Sequence, residues 1–239
     1  MSEVEEVIIL VGGFGTRLSS VVKNVPKPLA SVANRPFLDW VLSDLAHKGF
    51  RKVILAIGHQ GVAFRDRYGD KWCGLGISYS EETEPLGTGG AIKLALKQVG
   101  GDSALVLNGD TYVSWNRDEL FRVHRSEGVP ITLVIKPMKN FDRYGTVEMR
   151  GQRLVAFHEK RFCVQGCING GVYLLEHRKI FWDRQDASFS FEKKILEESI
   201  LNPGISGLIC DGPFIDIGVP EDYELAQQLI PQWADAKLT

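Results

Sequence analysis

Cysteine is scarce in this chain: four among 239 residues, Cys73, Cys163, Cys167 and Cys210. Only Cys163 and Cys167 stand close, in a Cys-x3-Cys spacing, and no Cys-x2-Cys or Cys/His set has the pattern of a zinc module. The thiols are expected to be free in a reducing compartment. Long apolar runs are missing too. No segment reaches the roughly 18 apolar residues of a membrane span. The N-terminus, MSEVEEVIILVGG, is acidic where a secretory leader would be basic. The expectation is a cytoplasmic protein with no membrane partner. Neither sign of charge dominates. With 28 Lys plus Arg against 30 Asp plus Glu, the net charge is −2. A broad basic face for nucleic acid is excluded, and any recognition of phosphate must be local. Linkers, low-complexity tracts and internal repeats are also lacking, which leaves a single domain over residues 1–239.

What is present is an alternation of β-branched runs and amphipathic stretches. Val7–Val11, Lys52–Ile57, Ala104–Leu107 and Ile131–Ile135 read as strands, with a short one at Ile77–Tyr79. Phe37–Lys48 carries Phe37, Trp40, Val41 and Leu45 on one helical face, opened by Pro36 and closed by Gly49. Gly89–Val99 reads as a second helix, ended by Gly100-Gly101. The rhythm changes near residue 136. Tyr144–Met149 and Leu154–His158 look like short antiparallel strands around Gly151-Gln152, and Gly170–Leu175 like another strand; Phe189–Glu198 and Asp222–Ile230 read as helices. The expected fold is α/β, a Rossmann-like, mostly parallel mixed sheet flanked by helices. Its nucleotide-type half covers about 1–136 and a more mixed half about 137–239.

The first strand leaves through Leu10-Val11-Gly12-Gly13-Phe14-Gly15-Thr16-Arg17-Leu18. In an open α/β sheet, ligands bind outside the carboxyl ends of the strands. Glycines there let successive N–H groups turn toward an anion with no Cβ in the way. Arg17 adds a bidentate fork. Lys27, stiffened between Pro26 and Pro28, adds a positioned point charge. Two cations suit a polyphosphate. Leu18 stands where GxGxxG needs its third glycine, no acid ends the second strand to hold a ribose, and no Gly-Lys-Ser/Thr follows. A dehydrogenase and a Walker-type loop are therefore disfavoured. Two carboxylates complete the pattern: Asp110 in Leu107-Asn108-Gly109-Asp110, and Asp216 in Phe214-Ile215-Asp216-Ile217-Gly218. Strand-end aspartates from distant segments fit the Mg²⁺ that accompanies a nucleoside triphosphate.

The run Gly12–Leu18 together with Pro26-Lys27-Pro28 resembles the signature of the sugar-1-phosphate nucleotidylyltransferases, and the likeness extends from Ile8 to Tyr223. It implies the nucleotide-diphospho-sugar transferase type of fold. It also implies transfer of a nucleotidyl group from a nucleoside triphosphate to a sugar 1-phosphate, with release of pyrophosphate. Leu10, Gly12, Gly13, Gly15, Thr16, Arg17, Lys27, Gly87 and Asp110 then hold the nucleotide. Arg17 stabilises the leaving pyrophosphate and Lys27 the reacting phosphates; with Asp110 they form the catalytic set. Asp110 and Asp216 are the metal ligands, for Mg²⁺ with Mn²⁺ as the alternative. By the same resemblance Glu159, Asn169 and Gly170 contact sugar hydroxyls, Lys160 takes the sugar phosphate, and Gly145 lets backbone approach the sugar. The acceptor phosphate is itself the nucleophile, so catalysis is positioning plus charge neutralisation. The two substrates are the implied partners, and a homodimer stays open. One departure is the segment Ser19-Ser20-Val21-Val22-Lys23-Asn24, where many members carry Pro and Thr. It weakens assignment to the glucose and mannose branches.

Four stretches narrow the branch: Phe141-Asp142-Arg143-Tyr144-Gly145-Thr146-Val147, Ile168-Asn169-Gly170-Gly171, Ser190-Phe191-Glu192 and Phe214–Tyr223. Together they are most similar to the branch that guanylylates a heptose 1-phosphate. That similarity implies GTP, D-glycero-α-D-manno-heptose 1-phosphate, and a GDP-heptose product for surface polysaccharide. By the same resemblance the loop Ser80-Glu81-Glu82-Thr83-Glu84-Pro85-Leu86-Gly87-Thr88-Gly89-Gly90 walls the base. Guanine presents N1–H and its amino group side by side, and one carboxylate can accept both. Glu81 is the first candidate and Glu82 the second, with backbone near Gly12 or Gly87 covering the rest. Other pairs remain open: GTP with mannose 1-phosphate, UTP or dTTP with glucose 1-phosphate, and UTP with a muramic acid sugar 1-phosphate. A reading of another class is a non-catalytic, nucleotide-sugar-binding regulatory subunit. The presence of Arg17, Lys27, Asp110, Lys160 and Asp216 together stands against it.

Overall fold

The computed structural model describes residues 4, 6–13, 25–181 and 184–235. Val7, Ile8 and Ile9 are fully buried in β1 (Glu6–Leu10), as an apolar run must be when both faces of its sheet are covered. A hairpin of β2 (Ser31–Val32) and β3 (Arg35–Pro36) feeds α1 (Phe37–His47). Next come β4 (Lys52–Ile57), α2 (Gly61–Tyr68), β5 (Lys71–Trp72) and β6 (Leu75–Glu81). They are followed by α3 (Gly87–Ala95), β7 (Ala104–Asn108), β8 (Thr111–Val113) and α4 (Arg117–Glu127). The remainder holds β9 (Ile131–Phe141), β10 (Thr146–Arg150), β11 (Arg153–His158), β12 (Cys163–Leu175) and α5 (His177–Phe181). After a helical stretch, Glu192–Leu196 running into Glu197–Ser199, come β13 (Ile205–Ile209), β14 (Phe214–Asp216) and α6 (Pro220–Asp235).

One ten-stranded sheet has the order β10-β11-β13-β9-β12-β7-β1-β4-β6-β5. β7, β1, β4 and β6 are parallel neighbours. β12 runs antiparallel to both β7 and β9, and β13 parallel to β9. The sheet is thus mixed, with most of its parallel pairing in the first half. The expected change of rhythm near residue 136 falls inside β9. Alternate residues of β1 face opposite cores. Val7 and Ile9 pack with Phe37, Leu42, Leu120 and Ile230, while Ile8 packs with Ile92, Phe181, Phe191 and Ile195. Helices therefore cover both faces. From β1 the chain crosses to β4 on one side and returns as β7 on the other. β1 is the switch point of the strand order, and the crevice outside the carboxyl ends of β1 and β7 is where such a sheet binds ligands.

The structure adds three helices to those expected: α2, α4 and the short α5. α2 buries only Gly61, Phe64 and Tyr68, too thin a stripe for periodicity to show. α4 is strongly charged, but Asn116 caps it by accepting from the Glu119 N–H at 2.9 Å, the Asn-x-x-Glu arrangement of a helix start. β9 and β12 run well beyond the expected 131–135 and 170–175, because their outer ends pair with each other from Cys163 opposite Phe141 inward. The strand expected from Tyr144 begins at Thr146; just before it, Arg143 turns aside to pair with Asp222.

Candidate active site

The first wall of the crevice is backbone. The Gly109 N–H donates to the Leu10 carbonyl at 3.0 Å, which holds the ends of β7 and β1 together. A Cβ on Gly109 would meet that carbonyl oxygen at 2.6 Å, and one on Gly12 would meet the Gly58 nitrogen at 3.1 Å. Gly13, by contrast, has open space. Gly15, Thr16 and Arg17 lie outside the described residues.

Lys27 opens a short 3₁₀ turn, Lys27–Leu29, in which the Leu29 N–H donates to the Pro26 carbonyl at 2.8 Å and Pro28 is buried. The stiffened turn delivers Lys27 to two carboxylates. Its Nζ lies 2.5 Å from Asp110 Oδ2 and 3.5 Å from Asp216 Oδ1. The aspartates, far apart in sequence, meet because β8 and β14 form a small antiparallel ribbon. In that ribbon Asp216 pairs with Thr111, and the Ile217 N–H donates to the Asp110 carbonyl at 3.0 Å. Asp216 Oδ1 also accepts from the Gly218 N–H at 2.7 Å. A Cβ on Gly218 would come within 2.8 Å of that oxygen and 3.1 Å of Lys27 Nζ. Burial holds the Asp216 carboxyl above its ordinary range and the charge of Asp110 adds to the rise, while Lys27 opposes it. Two carboxylates bridged by one ammonium form a cation-binding pair. With phosphate oxygens and water they match the few-carboxylate donor set that Mg²⁺ takes beside a polyphosphate.

Lys27, Asp110, Asp216 and Lys160 line one cavity of about 550 Å³, together with Leu10, Gly13, Thr88, Asn108, Thr111, Glu192 and Gly218. Its volume suits a nucleotide-sized ligand. The structure thus brings together Leu10, Gly13, Lys27, Asp110, Lys160 and Asp216 from the sequence-predicted set. It does not bring Glu159, which is exposed beside Lys160 and lines neither this cavity nor its small neighbour. Asn169 does not line this cavity either. The register of β12 against β9 shifts between Asn169 and Tyr173. There the Asn169 side chain accepts from the Gly171 N–H at 2.9 Å and donates to the Tyr173 hydroxyl at 2.9 Å. It braces a bulge. Gly170 lies in that bulge, where a Cβ would meet the Val134 carbonyl oxygen at 2.9 Å. Gly145 lies against the end of β11, since a Cβ there would meet the His158 carbonyl oxygen at 2.7 Å.

Beside the main cavity lies a small one of about 70 Å³, lined by Val11, Gly12, Gly13, Pro26, Gly58, His59, Gln60 and Phe64. Glu82 reaches its Gly58 wall: a Cβ on Gly58 would meet Glu82 Oε1 at 3.0 Å. Glu82 Oε2 accepts from the Leu86 N–H at 3.2 Å. Glu81 points away from both cavities. It pairs with Arg65 of α2 at 2.7 Å, and its side chain is 52% exposed. Strand geometry explains the split, because successive side chains leave opposite faces. Gly87 adopts φ +67 and packs on the Phe189 backbone, which fixes the start of α3. Thr88, Asn108 and Glu192 are lining residues that the sequence reading did not assign. Thr88 fell in the loop expected to wall the base, Asn108 in Leu107-Asn108-Gly109-Asp110 and Glu192 in Ser190-Phe191-Glu192, none with a role of its own.

Comparison with known proteins completes the description. The profile of the family described as "Nucleotidyl transferase" matches residues 6–231. The D-glycero-alpha-D-manno-heptose 1-phosphate guanylyltransferase of Aneurinibacillus thermoaerophilus is 43% identical over 223 residues, 93% of this chain and 97% of the relative. The protein of the same name from Campylobacter jejuni is 46% identical over 220 residues, 91% of this chain and 96% of the relative. Among solved structures, HddC from Yersinia pseudotuberculosis complexed with GMP-PN superposes with a TM-score of 0.81 at 31% identity, covering 94% of this chain and 98% of that one.

Proposed function

The chain belongs to the nucleotidyl transferase family, and from that premise we propose that it transfers a guanylyl group from GTP to D-glycero-α-D-manno-heptose 1-phosphate, giving GDP-heptose and pyrophosphate. The observation that carries the enzyme reading is the placement of Lys27, Asp110, Asp216 and Lys160 around one cavity at the switch point of the sheet. The names of the two relatives and the GMP-PN complex support guanine and heptose.

In this reading the triphosphate lies over the Gly12-Gly13 turn. Lys27 faces the reacting phosphates, and Arg17, whose placement is not described, faces the departing pyrophosphate. Lys160 holds the phosphate of the acceptor. An oxygen of that phosphate attacks the α-phosphorus in line, the bond to pyrophosphate breaks, and no proton has to move. Asp110 and Asp216 would hold Mg²⁺, which when bound supplies charge neutralisation to the phosphates. The Lys27 ammonium pairs with both carboxylates, and a cation held by them would leave it to the substrate phosphates. Glu82 takes over from Glu81 as the candidate reader of the guanine N1–H and amino donors, because its carboxylate alone of the two lies against Gly58, a residue of the small cavity's wall. The product would serve surface polysaccharide made from a cytoplasmic nucleotide sugar.

The test is pyrophosphate release from each of five nucleoside triphosphates paired with a panel of sugar 1-phosphates. GTP with the heptose 1-phosphate should give the highest kcat/KM. A higher value for UTP or dTTP with glucose 1-phosphate would refute the base and the sugar while leaving the enzyme class in place.

A further inference from the structure

Glu192 has a geometry that the reaction above leaves unused. It lines the main cavity with Lys27 and Lys160. Its Oε2 accepts two hydrogen bonds, from Thr88 Oγ1 at 2.8 Å and from Ser190 Oγ at 2.8 Å. Thr88 Oγ1 in turn accepts from the Phe191 N–H at 2.8 Å, which directs the threonine proton to the carboxylate. Both bonds fall on the same oxygen. Among the described residues Oε1 accepts no hydrogen bond, and no Lys, Arg or His pairs with this carboxylate. Its charge is felt nearby: with burial as the larger cause, it helps to raise the phenol of fully buried Tyr173.

A carboxylate is an acceptor only. Phosphate oxygens are acceptors too and carry the same charge, so the open oxygen of Glu192 disfavours them. What it favours is a hydroxyl, through a charge-assisted hydrogen bond. Lys27 and Lys160 account for the phosphates and Glu82 for the guanine donors, which leaves the sugar hydroxyls, above all those of the acceptor ring, whose phosphate is held by Lys160 in the same cavity. We infer that Glu192 is a specificity-determining residue that accepts hydrogen bonds from hydroxyl groups of the acceptor sugar, its carboxylate held in place by Thr88 and Ser190. The inference rests on the sugar 1-phosphate transfer proposed above.

A purely structural role would look different. The segment around Phe189 is already clamped to the start of α3 by backbone, since the Gly89 N–H donates to the Phe189 carbonyl at 2.9 Å and the Phe189 N–H to the Leu86 carbonyl at 2.9 Å. Glu192→Gln should therefore fold, and a lost staple would weaken both substrates alike.

The experiment compares wild type, Glu192→Gln and Glu192→Asp in pyrophosphate release, using GTP with the heptose 1-phosphate, mannose 1-phosphate and monodeoxy analogues of each. Wild type is expected to reject at least one monodeoxy analogue by about tenfold to a hundredfold in kcat/KM. Both variants are expected to raise the acceptor KM about tenfold with the GTP KM held within about twofold, and to narrow the discrimination against that same analogue. If Glu192→Gln fails to fold, the same split in Glu192→Asp decides, because it keeps the charge and withdraws it by one methylene. Equal rises in both KM values, or discrimination unchanged from wild type, would overturn the inference while leaving the transfer reaction standing. Silence of the wild type with every nucleotide and sugar 1-phosphate would overturn both.

Discussion

Replacing Lys27 with alanine removes the only cation that, among the described residues, is seated between Asp110 and Asp216, 2.5 Å and 3.5 Å away. At an effective dielectric near 20, unit charges about 4 Å apart interact by about 4 kcal/mol. A lysine aimed at charge that grows in the transition state should supply a similar amount. The expected loss in kcat is therefore roughly two to four decades. The fold should survive: Pro28 supplies the buried packing of the turn, and the backbone bond from Leu29 to Pro26 is untouched. The assay is single-turnover pyrophosphate release at saturating GTP and acceptor, with circular dichroism as the check on folding. Ethylammonium added in trans should restore part of the rate. A well-folded Lys27→Ala protein with wild-type turnover would refute the triphosphate reading of this cavity.

Three other expectations follow from particular side chains. Asp216→Asn should abolish the metal-dependent rate, yet raise thermal stability at neutral pH: burial holds this carboxyl above its ordinary range, so the native state pays a penalty for ionising it. The penalty is absent below the unfolded carboxylate range and grows as pH rises through the folded one, so melting curves should show the gain at neutrality and none in strong acid; a gain only in acid would contradict the sign. Lys160→Ala should raise the acceptor KM by at least about tenfold with little change for GTP, and steady-state kinetics showing the loss on the nucleotide side would reject its acceptor role. Glu82→Gln should erode a GTP-over-UTP preference of roughly a hundredfold, whereas Glu81→Gln, which breaks only the exposed pair with Arg65, should leave it intact; the opposite ranking in competition assays would restore Glu81.

The parts of the site legible in sequence are those fixed by local chemistry. Lys27 announces itself through flanking prolines, and Asp110 and Asp216 through their positions at strand ends. The register of the β8–β14 ribbon, which sets Asp216 opposite Thr111, has no local signature. Glu81 and Glu82 differ by one step at the end of β6, and one step reverses the face. Composition cannot tell which of two adjacent glutamates turns toward Gly58. Asn169 reads as a sugar ligand in a motif, but the bulge that its carboxamide braces appears only when β12 is paired with β9. Glu192 lies in a stretch that sequence marks without revealing that Thr88 would anchor it. In the fold, the parallel core was readable from buried β-branched runs. α2 was not, because two large residues one turn apart make no stripe, and the capping asparagine of α4 was readable in principle.

The β8–β14 ribbon also has a consequence for the order in which the protein comes into being. A nascent chain folds from its N-terminal end as it emerges. Once residues up to 209 are free, every strand of the main sheet exists, with Lys27 and Asp110 already made. The second carboxylate does not, because Phe214–Asp216 has yet to pair with Thr111–Val113. On the proposed metal reading, affinity for a metal-bound triphosphate would arise only once that ribbon has formed. On that reading, a chain stalled short of Asp216 would be a near-complete sheet without a working cation site, and would not draw nucleotide away from the finished enzyme.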